Sequence, residues 1–531
     1  MTIAGFASDP IADIGRTVMQ RVGIPKDRWE IAAQLEVLGY RDVDARERFG
    51  CRDLFETADR IFAMFRSGAL EFSAKDDDAG TRRNPVLTFL RHYCDGLMFS
   101  LPMVVQGVAM LLWGYGLWGA VDIDPKTGSA IGLAFIASYI ATSGFAWAIV
   151  SRGLYYHYQK EGGLARWSAL RMWWMSVRTT LALAVPALLF NFLYRLLPLD
   201  MSLTAAAYYA ALVIFWLNWA LLYLVDKTRW LVVVLAVSIA VIIALGRTMT
   251  MPVVASNMIG LAIACSLTFA IAWYSLRRWD IESGGKRVVN PPRLTVLIYA
   301  TAKVFLYGLL YSTFMFMDRI LAWTATRGRE DFPPYPFWLS ARYELGMDLA
   351  LIVIVFLAGM IEYSTQRFSR LLIPVEKRMK SAAAGPFVDE FRRFYRRHSL
   401  ALAIAAGAAI AVTFLVVRAL ESFPDPRLQQ SLTSMTTIVV FWTAAVSYGV
   451  LMFALQNLLM LMVLSRADLA VRATAMALAV NVVVGFIVSR AVHYSGSVMG
   501  LLAGSIALAI LSNKKLRHVM AELDFSYYAA F

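Results

Sequence analysis

The stretch VLIYATAKVFLYGLLYSTFMFMDRILAW, residues 296–323, decides the fold class. As a helix it is long and apolar enough to cross about 30 Å of hydrocarbon. It nevertheless holds Tyr299, Lys303, Tyr307, Tyr311 and the adjacent pair Asp318 and Arg319. Windows of the same kind recur from roughly residue 90 to 512 in a chain of 531 residues, 59% of them hydrophobic. With a mean hydropathy of +0.58 the chain has more apolar surface than a soluble core can hide. A membrane β-barrel would instead alternate over segments of about ten residues. The pattern predicts an all-α polytopic membrane protein of about twelve spans: 95–119, 129–151, 176–197, 203–225, 229–249, 253–276, 296–323, 345–365, 399–419, 433–462, 469–490 and 496–512.

The loops between these windows alternate in charge. Arg152 to Arg171, Lys227 with Arg229, Arg277 to Arg293, Arg367 to Arg397 and Arg466 with Arg472 form one basic set. VDIDPKTG, PLDMS, ESFPDPR and HYSG form a less basic one. The positive-inside rule puts the first set and both termini in the cytoplasm, and the long 326–344 loop outside. That loop's prolines and aromatics suggest either an ordered interfacial turn or a mobile lid. The formal charge of +14 is therefore a topology signal, since residues 1–80 carry 11 Lys+Arg against 15 Asp+Glu. No nucleic-acid partner is predicted.

Read as domains, residues 1–80 form a small acidic helical cytoplasmic domain and 81–94 a linker. Residues 95–276 make a first six-helix bundle, 277–295 a basic cytoplasmic linker, 296–512 a second six-helix bundle and 513–531 a cytoplasmic tail. In the N-terminal part, Asp27 can cap a helix and Gly39 can stop it. YRDVDARERFG reads as a second short helix. In the third, Leu54, Phe55, Ala58, Ile61, Phe62 and Phe65 share an apolar face. So short a unit buries little core, and the face is expected to lean on a partner. Arg392, Arg393 and Arg396 of the 366–398 loop are expected to complete a cytoplasmic docking surface. RDVD at 41–44 fits an RxxD pattern, which a charge-rich segment matches easily by chance.

Enzymatic signatures are sparse. The histidines at 92, 157, 398, 493 and 518 lack metal-ligand spacing, and no HExxH, Walker loop or GxGxxG occurs. Cys51, Cys94 and Cys265 stand far apart. The reading is a non-enzyme without cofactor or metal.

Helical rotation sorts the polar residues of the opening stretch. At about 100° per residue from Tyr299, Lys303 falls at about 40°, Tyr307 at about 80°, Asp318 at about 100° and Tyr311 at about 120°. Arg319, at about 200°, lies on another face. A polar stripe in a membrane helix turns toward a cavity or a partner helix. Tyr299, Lys303, Tyr307, Tyr311 and Asp318, with Glu362 at the inner end of the eighth span, are the candidate substrate path.

GLLYSTFMFMDRILAW resembles the seventh span of the Pel exopolysaccharide transporter family, the inner-membrane G subunit. YIATSGFAWAIVSRGLYYHYQKE, PALLFNFLYRLLPL and GMIEYSTQRFSRLLIPVEKRMKSAAAGPFVDEFRRFYRRH are similar to its second span, its third, and the loop after its eighth. The family's chain begins near its first span, whereas this one carries a long N-terminal segment ahead of it, and Ser312 and Thr313 stand where an amide is expected. The resemblance implies a flippase-like fold of the MATE and polysaccharide-flippase (MOP) superfamily in a bacterial cytoplasmic (inner) membrane. It implies a nascent polysaccharide as cargo, with a cytosolic glycosyltransferase and other synthase subunits as partners. Two alternatives stay open: an ion-coupled lipid-linked oligosaccharide or drug antiporter of the same fold, and a non-transporting membrane scaffold for a polysaccharide synthase.

Overall fold

A computed structural model describes residues 10–22, 27–67, 85–285, 291–329, 334–378, 384–422 and 426–521. Among the described residues the architecture is helical, with one isolated bridge between Tyr115 and Ala120. The helices are α1 (Pro10–Val22), α2 (Arg28–Val37), α3 (Asp42–Phe49), α4 (Leu54–Arg66), α5 (Pro85–Trp113), α6 (Pro125–Tyr158), α7 (Gly162–Tyr194), α8 (Leu199–Leu224) and α9 (Arg229–Thr248). They continue as α10 (Val253–Glu282), α11 (Leu294–Trp323), α12 (Ala341–Arg378), α13 (Ala384–Glu421), α14 (Pro426–Leu432), α15 (Met435–Val463), α16 (Ala467–Ala491) and α17 (Ser497–Ala521).

Among the described residues, eleven helices are long and apolar enough to cross a membrane, or twelve if the two parts of α5 count as one span. Those parts, Phe89–Met98 and Ser100–Trp113, meet at 56°. The bend has a local cause. Pro102 lacks an N–H and its ring clashes with the carbonyl of residue 98, one turn earlier. The twelve-span reading thus matches the structure, but the helices outrun their hydropathy windows. The 366–398 segment expected as a loop is helix to Arg378 and again from Ala384. Polar turns stay hydrogen-bonded in water, so hydropathy marks only the lipid-embedded part. Of the 81–94 linker, residues 81–84 lie outside the described residues and the rest is helical from Pro85. Residues 286–290 and 522–531 also lie outside them.

Two compact units divide the chain: Met1–Arg91 with Ser364–His398 and Met520–Ala529, and His92–Tyr363 with Ser399–Val519 and Ala530–Phe531. In the first, Asp27 caps α2 by accepting the Glu30 N–H at 2.9 Å, as expected. Asp53 caps α4 in the same way at 2.8 Å. The structure adds α1, whose Ile11, Ile14 and Val18 close the core over Ile31, Leu35, Leu54 and Ile61. In the second unit, α5–α10 pack around Tyr208, Leu212, Phe215 and Leu217, none of them exposed. Some polar groups at membrane depth are satisfied in place. Trp173 Nε1 donates to Asn218 Oδ1 at 3.0 Å, and Asn218 Nδ2 donates to the Cys265 carbonyl at 2.9 Å.

Candidate functional site

α11 opens the second half of the membrane helices and lies against α6 of the first half. Small residues let the two backbones close. A Cβ added to Gly144 would meet the Phe305 carbonyl at 2.7 Å, and one added to Gly308 would meet the Trp147 ring at 2.5 Å. Rings fill the rest of the seam. Phe145 packs on Phe305 at 4.8 Å, Trp147 on Tyr307 at 5.2 Å, and Phe316 reaches Tyr139 at 5.3 Å and Phe135 at 5.8 Å. Tyr139 continues to Trp216 at 5.2 Å, and Trp216 to Trp118 at 5.5 Å. The seam is thus an aromatic layer carrying hydroxyls. The Tyr307 hydroxyl is buried within it and hydrogen-bonds to no described residue.

The other flank of α11 holds a charge cluster. Arg319 is 6% exposed. Its Nη2 donates to Asp348 Oδ1 at 2.9 Å, and its Nε lies 3.2 Å from Glu344 Oε2. Glu344 and Asp348 are four residues apart on α12, so both reach one guanidinium. Glu344 Oε1 also accepts the Trp323 indole N–H at 2.7 Å. Asp318 is fully buried on a separate branch: Tyr343 donates its hydroxyl to Asp318 Oδ2 at 2.7 Å, and Ser497 donates to Tyr343 at 3.0 Å. Charges this deep persist only when paired and hydrogen-bonded. The Asp348 side chain alone opens outward, at 63% exposure.

The polar stripe read on the seventh span therefore divides among several surroundings. Tyr299 is 88% exposed and Lys303 is exposed. Tyr307 is buried on the α6 side, with Tyr311 half-buried and stacked on it at 5.9 Å. Asp318 points into the second half, away from α6. Constant helical angles describe one face, but the neighbours of α11 change along its length. Arg319 does lie on a different face from Asp318, as the angles indicate, and takes different partners. Glu362 is half-buried where α12 meets α5. There a Cβ added to Gly96 would lie 2.7 Å from Gly359 Cα and 2.8 Å from Glu362 Cβ, and Tyr93 donates to the Phe356 carbonyl at 2.9 Å.

The expected docking face needs a correction. Leu54 and Ile61 are buried in the small domain's own core, with Phe62 and Phe65 half-buried against it, so α1 and α2 supply the cover assigned to a partner. Phe55 is different: it is 46% exposed and packs edge-on against exposed Trp29 at 5.1 Å. Arg392, Arg393 and Arg396 are exposed, while Phe391 and Phe394 turn inward onto Phe368. In the RxxD segment, Asp44 accepts the Arg41 N–H at 3.0 Å and Asp42 accepts the Leu54 N–H at 3.0 Å, so both carboxylates serve helix ends.

The residues missed in the sequence are Trp323, Tyr343, Glu344, Asp348 and Ser497. Two acids four apart at the mouth of an apolar span, ELGMD, were the available signal. Among the described residues no group of three or more His, Cys, Asp or Glu is arranged to hold a metal ion.

No family model matches the sequence, and no curated protein matches it. Solved structures do. MATE in the straight conformation superposes with a TM-score of 0.59 at 15% identity, covering 82% of this chain and 96% of that one. The chain has the fold of a MATE transporter. An outward-facing multidrug resistance MATE family transporter of the MOP superfamily gives 0.57 at 14% identity, over 82% and 96% of the two chains. A mutant of the Vibrio cholerae MATE transporter VcmN gives 0.54 at 15% identity, over 81% and 96%. The fold expected from the resemblance is the one found.

Proposed function

We propose that this chain passes a nascent exopolysaccharide across a bacterial inner membrane, from the cytoplasm to the far side. The observation that carries the reading is the aromatic, hydroxyl-bearing seam between α6 and α11, with Tyr139, Tyr307 and Tyr311 in or beside it. Tyrosine rings stack on sugar faces while their hydroxyls hydrogen-bond, which suits a long, weakly held, moving polymer. When the halves part, these rings become the walls of the route. Tyr299, Lys303 and Glu362 stand toward its inner mouth in this reading, while Asp318, held by Tyr343 on the other flank of α11, acts on the route only through its field, a negative charge that favours a polymer with free amines. The resemblance to the Pel transporter family supports the cargo. Both termini then lie in the cytoplasm, where the small domain and the Arg392–Arg396 helix meet a glycosyltransferase and other synthase subunits.

A second reading, an ion-coupled antiporter for drugs or lipid-linked oligosaccharides, is favoured by the Arg319–Glu344–Asp348 cluster. Buried ionisable side chains within a membrane span mark ion pathways in many transporters. Purified protein in liposomes separates the two. Passage of a labelled oligosaccharide without a proton gradient supports the exporter, and proton-driven dye efflux supports the antiporter. Capture of a synthase subunit with no passage of either kind would indicate a scaffold.

A further inference from the structure

At one end of the α6–α11 seam a single side chain belongs to both halves. Trp323, the last residue of α11, is 3% exposed. A Cβ added to Gly132 of α6 would meet its ring at 2.8 Å. The Leu339 N–H donates to Ser129 Oγ at 3.1 Å one turn earlier on α6, so the contact is doubled. Behind the ring, the indole N–H is committed to Glu344 at 2.7 Å, and Glu344 to Arg319 at 3.2 Å. The backbone around Trp323 is tied to the second half as well. Arg490 Nη1 donates to the Leu321 carbonyl at 2.8 Å and Nη2 to Thr324 Oγ1 at 2.6 Å, satisfying groups that the end of α11 leaves open. The Trp338 N–H donates to the Trp323 carbonyl at 3.2 Å.

We infer that Trp323 is a strut through which the Glu344–Arg319 pair sets the closure of the seam between the two halves. One face of the indole bears on Gly132, where nothing larger than glycine fits without displacing it. The opposite edge is fixed by one charge-assisted hydrogen bond, the stronger kind in a dry setting. Loss of that bond frees the ring to turn away from α6. The seam end then loses its buried wedge, although no residue of α6 has been substituted. Trp323 acts here as a positioning residue and touches no cargo. The inference rests on the MATE fold and needs no assumption about what is carried.

The test is the distance between spin labels at Val121→Cys and Thr326→Cys, both exposed, one shortly before α6 and the other shortly after α11. The full chain, with its three native cysteines replaced, is read in nanodiscs by pulsed electron resonance. The parent should give one short distance. Trp323→Phe keeps the ring and removes the N–H, and it should add a population at longer distance. Glu344→Met removes the acceptor from the other side and should add the same population, with no further increase in the double variant. Should Trp323→Phe not fold, Glu344→Met carries the test alone. A parent-like distribution in whichever variants fold, at an unchanged melting temperature, overturns the strut, because the indole bond would then be packing without consequence. A gain in the double variant that sums the single gains overturns it too, since the two residues would be acting independently. The readout is indifferent to cargo, so its failure is distinct from failure of the export reading.

Discussion

Arg319 of α11 and Asp348 of α12 are joined at 2.9 Å, with the guanidinium 7% exposed and the carboxylate side chain 63% exposed. The pair links a buried interior to an open face of a membrane helix. Removing the cation leaves two acids without their counter-charge, Glu344 keeping only the Trp323 indole N–H. Arg319→Met should therefore cost about 3–5 kcal/mol, the range for a buried pair broken from one side. It is checked by the melting temperature and monodispersity of the extracted protein. Arg319→Lys should recover part of the loss, because a point charge cannot serve two carboxylates as a planar fork does.

Asp318→Asn should behave differently, although the residue is adjacent. The amide oxygen still accepts from Tyr343, so the expected stability change is below about 1 kcal/mol. Export of polysaccharide should nonetheless fall if this charge assists passage. A destabilisation as large as that of Arg319→Met would make Asp318 purely structural.

The two helix faces of this adjacent pair were legible in the sequence, and so was the twelve-span fold. Both follow from local rules: bilayer thickness sets the length of apolar windows, and a rotation of about 100° per residue sets the faces. The surroundings of each face were not legible. Tyr307 and Asp318 fall about 20° apart by rotation, yet one meets α6 and the other α12. Which neighbour lies alongside is decided by long-range packing, through contacts such as Gly144 with Phe305 and Gly308 with Trp147. The small domain shows the same limit. Its α4 face was legible, but the cover came from α1, whose Ile11, Ile14 and Val18 had gone unread.

The seam itself is open to a steric test. Gly308→Val places a branched side chain against the Trp147 ring and should cost about 1–3 kcal/mol or force the helices apart. A neighbouring lipid-exposed substitution, Leu306→Val, should be nearly neutral; the wild-type side chain is 42% exposed. Expression level and melting temperature after extraction decide the comparison.

Removing residues 1–80 should leave the membrane helices inserted while reducing capture of a synthase subunit. Point substitutions refine this. Phe55→Ser and Trp29→Ser alter exposed rings and should lower capture with little effect on folding. Ile61→Ala should unfold the small domain by losing about 2–5 kcal/mol. Capture unaffected by both exposed-ring changes would move the docking surface elsewhere.

Topology is checked by labelling Thr326→Cys, which is exposed near the end of α11. Gly328 is unsuitable, because its φ of +77° and the adjacent His493 ring leave no room for a side chain. An impermeant thiol reagent should reach Thr326→Cys in intact cells. Protection until the membrane is permeabilised would reverse the orientation.

Secreted polysaccharide per inserted chain tests most directly whether the aromatic seam becomes a glycan route. Tyr311→Ala alone should reduce it, and Tyr307→Ala with Tyr311→Ala should reduce it further at equal membrane abundance. Leu306→Val, away from the seam, should export as wild type does. If the double tyrosine variant also exports at the wild-type level, the rings are a packing layer and the route for this cargo lies elsewhere.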